Sequence, residues 1–161
     1  MDKTPTSIEE LVKQLATKLT EKNWMLATAE SCTGGMIAAA CTDLAGSSQW
    51  FDRGFVTYSN EAKTEMLGVP AELIARHGAV SEEVVRAMAE GAIRHSRAQV
   101  SVAVTGIAGP GGGSAEKPVG TVWVGWSVDR NTFTDCLHLN GDRAMIRTQA
   151  TCEALQLLSI D

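Results

Sequence analysis

Val100, Val102 and Val104 alternate with Ser101 and Ala103, and no position in this run carries a charge. A strand that is apolar or small on both faces has to be covered on both, as in sheets flanked by helices. The segments before and after it supply the covering layers. Ser7-Ile8-Glu9-Glu10 reads as a capping box, and Ile8, Leu11, Val12, Leu15, Ala16 and Leu19 follow at three- and four-residue steps, the pattern of an amphipathic helix. Residues 24–29 are short and apolar and run through Glu30-Ser31-Cys32-Thr33-Gly34-Gly35 into the helix formers of 36–41, which predicts strand, tight turn, helix.

Residues 53–58 are rich in β-branched and aromatic side chains, and Asn60 is expected to cap a helix over 61–67 that stops at Gly68. Ser81 and Glu83 open another helix, with Val84, Val85, Met88, Ala89, Ala92 and Ile93 on one stripe. After the valine strand, residues 105–114 are too Gly-rich for helix or sheet. Residues 119–128 and 132–139 then predict a hairpin across Asp129-Arg130-Asn131. A final helix over 142–158 is expected to turn Met145, Ile146, Ala150, Ala154, Leu157 and Leu158 inward. This order predicts an α/β fold, a three-layer α/β/α sandwich with a mixed sheet, forming a single domain over residues 1–161 without repeat or linker.

Composition agrees and narrows the function. At 161 residues, 44% hydrophobic and 20% charged, the chain suits one globular core. A net charge of −5 with no Lys/Arg run gives no footprint for a phosphate backbone, so no nucleic acid partner is expected. The polar N-terminus and the lack of a long apolar stretch predict a cytoplasmic protein with no membrane association. Cys32, Cys41, Cys136 and Cys152 form no C-x-x-C pair, and His77, His95 and His138 are dispersed, so reduced thiols and no metal site are expected.

Ligands in open α/β sheets collect beyond the carboxyl ends of the strands, and three polar segments are predicted there. In the first, Ser31 stands at a strand-to-helix turn, followed by backbone N–H groups that could hold an oxyanion. An ordinary helix cap is an equal reading of Ser31, and Cys32 is a rival nucleophile without a partner histidine nearby. In the second, Tyr58 ends a strand and Lys63 lies in the first turn of the next helix, where the macrodipole disfavours a cation. For a lysine to act as a general base its pKa must fall from about 10.4 toward 7, at a cost of about 4 kcal/mol, which burial and a helix N-terminus together can impose. Ser–Lys is a recognised nucleophile–base pair, and Tyr58 could relay a proton within it. A solvated Lys63 and a core-edge Tyr58 are the plainer alternatives. The third segment, the Gly-rich loop, lacks both the P-loop ending and the dinucleotide spacing. It is either an anion-binding loop or else a flexible lid or an ordinary surface loop. Gly141-Asp142-Arg143 adds an arginine suited to an oxyanion, with Arg147 one turn later.

Seven segments, taken in order, resemble the CinA C-terminal-domain family of nicotinamide-mononucleotide amidohydrolases over nearly the whole chain. They are Ala29-Glu30-Ser31-Cys32-Thr33-Gly34-Gly35, Gly46-Ser47-Ser48, Gly54-Phe55-Val56-Thr57-Tyr58-Ser59-Asn60 with Lys63, His77-Gly78-Ala79-Val80-Ser81, Thr105-Gly106-Ile107-Ala108-Gly109-Pro110, Lys117-Pro118-Val119-Gly120-Thr121-Val122 and Gly141-Asp142-Arg143. The resemblance implies hydrolysis of the carboxamide of nicotinamide mononucleotide to nicotinate mononucleotide and ammonia, in pyridine-nucleotide salvage, with no metal or cofactor. It implies Ser31, Tyr58 and Lys63 as the catalytic set and a homodimer as the assembly. Substrate contacts are expected from Cys32, Thr33, Gly34, Gly35, Asn60, Thr105, Gly106, Gly109 and Arg143, the phosphate falling to Thr105, Gly106, Gly109 and Arg143. Many relatives carry a second, N-terminal domain of pyrophosphatase character, whose activity is not expected of these residues. A binding module that keeps the fold without turnover is the alternative. Glu30 either orients the site or caps local structure.

Overall fold

The computed structural model describes residues 7–158 and 160. Helix α1 (Ile8–Lys22) starts where Ser7 Oγ accepts from the Glu10 N–H and buries Leu11, Val12, Leu15 and Leu19. Strand β1 (Leu26–Glu30) leads through the Ser31–Gly35 turn into α2 (Met36–Thr42). After a 3-10 turn (Ser47–Gln49) come β2 (Phe51–Val56), α3 (Asn60–Leu67), α4 (Ala71–His77) and α5 (Glu82–Arg94). Strand β3 (Val100–Gly106), the hairpin β4 (Thr121–Val128) and β5 (Asn131–His138), and α6 (Arg143–Leu157) complete the described chain.

The sheet order is β2-β1-β3-β4-β5. β2, β1 and β3 are parallel, whereas β3-β4 and β4-β5 are antiparallel. The valine strand β3 is therefore central, as its sequence demands. Val100, Val102 and Val104 face one core with Leu26 of β1 and Trp50, covered by Leu15 and Leu19 of α1, Ile37 of α2, and Ile146 and Ala154 of α6. Ala103, Ala27 and Ala29 face a second core with Leu67, Val84, Val85 and Met88 from α3 and α5, joined by Ile74 of α4. The molecule is thus the expected three-layer α/β/α sandwich with a mixed sheet.

Three local expectations are corrected, and one helix is added. Ser59, not Asn60, caps α3: its Oγ accepts from the Ala62 N–H, and Asn60 is already helical. The hairpin turns on two residues, Asp129 and Arg130, at φ 47° and 74°, with Asn131 already paired to Val128. Two-residue turns with both φ positive match the twist of the flanking strands. Met145 is 53% exposed, because the buried face of α6 runs through Ile146, Ala150, Thr151, Ala154 and Leu155. Helix α4 was not anticipated, since it is short and begins at Pro70 without a side-chain cap.

The chain leaves β1 for α2 on one face of the sheet and leaves β2 for α3 on the other. Loops that part in this way open a crevice at the carboxyl ends of the strands.

Candidate active site

The strand ladder fixes the geometry of that crevice. Beyond the last paired residues, Ser31 N–H donates to the Val104 carbonyl at 3.0 Å, and Thr57 N–H donates to the Glu30 carbonyl at 2.8 Å. Ser31, Thr57 and Thr105 therefore stand side by side at the ends of β1, β2 and β3. A cleft of about 280 Å³ opens above them, lined among others by Ser31, Cys32, Tyr58, Asn60, Lys63 and Arg143.

The turn after β1 is held from two sides. Glu30 is fully buried; its Oε1 accepts from Thr33 Oγ1 at 2.7 Å and from the Ile37 N–H at 2.9 Å, and its Oε2 accepts from the Ala38 N–H at 3.0 Å. It caps α2, whose own N-cap, Gly35, has no side chain to do so. Glu30 thus serves the backbone. From α6, Arg147 donates through Nε to the Cys32 carbonyl at 2.9 Å and through Nη2 to the Thr33 carbonyl at 3.4 Å. Gly34, at φ +58°, lies under this guanidinium, and a Cβ there would sit 3.2 Å from Arg147 Nη2.

Lys63 reaches the same turn from the opposite layer. It is 1% exposed, and its Nζ lies 3.3 Å from Ser31 Oγ and 3.1 Å from the Thr57 carbonyl. Burial holds its pKa below the ordinary 10.5. As an ammonium, Nζ donates to both oxygens; as a neutral amine it keeps a proton for the Thr57 carbonyl and presents its lone pair to Ser31. Burial pushes the Cys32 thiol up to about 11, which leaves it protonated at neutral pH. A thiol so held is a poor rival to Ser31 as nucleophile.

Tyr58 is 62% exposed, and its hydroxyl accepts from Arg143 Nη2 at 2.9 Å. Arg143 Nη1 donates to the Gly109 carbonyl at 2.7 Å, which ties the Gly-rich loop to α6. Thr105 lines the cleft with its hydroxyl committed to the Ala79 carbonyl at 2.9 Å.

Of the residues singled out in the sequence, Ser31, Cys32, Tyr58, Asn60, Lys63, Thr105, Gly106, Gly109 and Arg143 meet at the cleft, whereas Thr33, Gly34 and Gly35 are not among its lining residues. The Gly34 N–H closes the turn onto the Ser31 carbonyl at 3.0 Å. Ala79, Val80, Ile107 and Ala108 also line the cleft; they lie in segments that carry the family resemblance but were not expected as site residues, because apolar side chains carry no chemical signal of their own. Lys63 and Arg143 are the charged residues of the lining. Among the described residues, no three His, Cys, Asp or Glu side chains converge as metal ligands, and no helix is long and apolar enough to cross a membrane.

A mixed five-stranded α/β/α sandwich with a small-molecule cleft at the carboxyl ends of its parallel strands defines the structural class. Within it, this chain belongs to the CinA C-terminal domain family, which it matches over residues 8–160. It is 52% identical over 158 residues to the nicotinamide-nucleotide amidohydrolase PncC of Escherichia coli strain K12, a match covering 96% of this chain and 94% of that protein. It is also 52% identical over 146 residues to a CinA-like protein of Akkermansia muciniphila, covering 90% of this chain but 35% of that longer one. Among solved structures, the competence/damage inducible protein CihA from Agrobacterium tumefaciens superimposes with a TM-score of 0.92 at 49% identity, covering 98% of this chain and 97% of the other.

Proposed function

We propose that this chain is a nicotinamide-nucleotide amidohydrolase that converts nicotinamide mononucleotide to nicotinate mononucleotide and ammonia, with Ser31 as nucleophile and Lys63 as its base. The observation that carries the reading is the buried, carboxylate-free approach of Lys63 Nζ to Ser31 Oγ, 3.3 Å apart at the cleft. A lysine is costly to bury, and a neutral amine facing a serine hydroxyl is the arrangement that activates it. A binding module that never turned over would have no use for it.

Lys63 takes the proton of Ser31 as Oγ attacks the carboxamide carbon. The N–H of Cys32, which follows Ser31 and lines the cleft, is the donor nearest the developing oxyanion. Collapse of the tetrahedral intermediate breaks the C–N bond, and the Lys63 ammonium returns its proton to the leaving nitrogen, which departs as ammonia. Water then attacks the acyl ester with Lys63 again as base, releasing the carboxylate and restoring Ser31. The route uses protein groups throughout, with no metal or cofactor.

Direct transfer between Ser31 and Lys63 suits the geometry better than a relay through Tyr58, whose hydroxyl is engaged by Arg143. Tyr58 and Arg143 act instead as a unit on the anionic end of the substrate, beside Gly106 and Gly109. The same reading makes the protein a cytoplasmic homodimer in pyridine-nucleotide salvage, the assembly being checked by light scattering.

The test is ammonia release from nicotinamide mononucleotide by metal-stripped protein beside Ser31→Ala. The wild type should turn over and the variant should lose rate by a factor on the order of a thousand or more. Equal release by both would remove Ser31 from its role, and silence from both with the fold intact would overturn the activity.

A further inference from the structure

Two segments that carry the family resemblance, His77-Gly78-Ala79-Val80-Ser81 and Lys117-Pro118-Val119-Gly120-Thr121-Val122, take no part in the proton transfers above. They meet in the folded chain. Lys117 Nζ donates to the His77 carbonyl at 2.9 Å. His77 is the last residue of α4, so the bond answers a helix-end carbonyl at the pole that favours a cation. Gly78 follows at φ +80°, and a Cβ there would sit 3.2 Å from Lys117 Nζ. The glycine thus serves the turn and leaves room for the ammonium.

The next two carbonyls are held as well. Ser81 Oγ donates to the Gly78 carbonyl at 2.8 Å, and Thr105 Oγ1 donates to the Ala79 carbonyl at 2.9 Å. Three consecutive carbonyls are therefore held by side chains from three segments. What they fix in place is Ala79 and Val80, which form one wall of the cleft.

Lys117 is anchored at its other end in the Gly-rich loop. Its N–H donates to Ser114 Oγ at 3.0 Å, while the Ser114 N–H donates to its carbonyl at 2.9 Å. Earlier residues of that loop, including Ile107, Gly109 and Gly111, form another wall of the same cleft. Lys117 itself does not line it.

We propose that Lys117 is a positioning residue for the substrate: by bridging the Gly-rich loop to the His77–Val80 segment it sets the spacing of two cleft walls, and so the affinity for the nucleotide, without touching the reacting atoms. The inference rests on the amidohydrolase reading and deepens it. A brace serving stability alone would move the melting temperature and leave KM where it was.

Lys117→Met, which removes the donor, should raise KM for nicotinamide mononucleotide about tenfold, a loss of ~1.4 kcal/mol of binding. kcat should stay within about twofold, because the reacting atoms keep their geometry. Lys117→Arg, which keeps a cationic donor, should recover most of the loss. Calorimetric titration of nicotinamide mononucleotide into Ser31→Ala and into Ser31→Ala/Lys117→Met should show the same weakening with turnover removed. A changed melting temperature with KM and Kd unaltered would overturn the proposal. Should Lys117→Met fail to fold, Lys117→Gln is measured in its place, and an unaltered KM there overturns it equally. If the wild type releases no ammonia while Lys117→Met still weakens binding to Ser31→Ala, the amidohydrolase reading fails and the positioning role stands.

Discussion

Lys63 is the largest fully buried side chain among the described residues, and the acceptors within reach of its Nζ are a hydroxyl and a carbonyl. No carboxylate among the described residues forms an ion pair with it, so burial lowers its pKa against only the smaller, opposing influence of Cys32. The unfolded chain titrates this lysine at its ordinary 10.5. Between the lowered value and 10.5 the unfolded state binds more protons than the folded one, and stability rises with pH across that window. The cost of burying Lys63 is therefore greatest below its folded pKa and fades as pH approaches 10.5. Lys63→Met should be more stable than the wild type in urea at neutral pH, with an advantage that shrinks on titration toward 10.5. A constant advantage would contradict this. The proposed mechanism needs the neutral amine, so the wild-type rate should fall on acidification through the same lowered pKa. The sequence placed Lys63 against a helix N-terminus; what it could not show was that the side chain turns inward, since nothing local distinguishes a buried lysine from a solvated one. Glu30 was equally ambiguous, because its partners Ile37 and Ala38 lie seven and eight residues on.

Helix α3 carries that lysine, and its start decides where the side chain points. Ser59 Oγ caps it by accepting from the Ala62 N–H at 3.0 Å. Ser59→Ala should lose about 1 kcal/mol of stability together with part of the turnover. Asn60→Ala should spare stability, and urea titration of the pair distinguishes the two caps. Adjacent Ser and Asn are both good caps, so local chemistry alone does not choose between them. The long periodic elements were legible for the opposite reason: α1 and α5 bury one unbroken stripe each. Strand β3 was legible because both its faces are apolar or small. Helix α4 was not, being only seven residues with a single buried side chain, Ile74. The face of α6 was misjudged at Met145 because a half-buried helix mixing Thr151 into its buried side carries a weak stripe.

Across the whole molecule the charge is uneven in a useful way. The chain carries −5 overall, yet the charged residues lining the cleft are the cations Lys63 and Arg143. Arg143, the exposed one of the two, supplies the more accessible attraction for a nucleotide phosphate. kcat/KM for nicotinamide mononucleotide should accordingly fall about two- to threefold between ~0.05 and ~0.5 M salt. Arg143→Gln should lower kcat/KM and flatten that dependence; an unchanged slope would place the phosphate elsewhere.

The position of α6 has a further consequence in time. It supplies Arg147, which holds the carbonyls of Cys32 and Thr33, and Arg143, which ties down Tyr58 and the Gly-rich loop. A ribosome delivers Ser31 and Lys63 long before this helix. Until it has emerged and docked, the Ser31 turn lacks its guanidinium clamp and the cleft lacks its exposed cation. The Ser31 turn and the cleft are thus completed only when α6, which follows them in the chain, has docked.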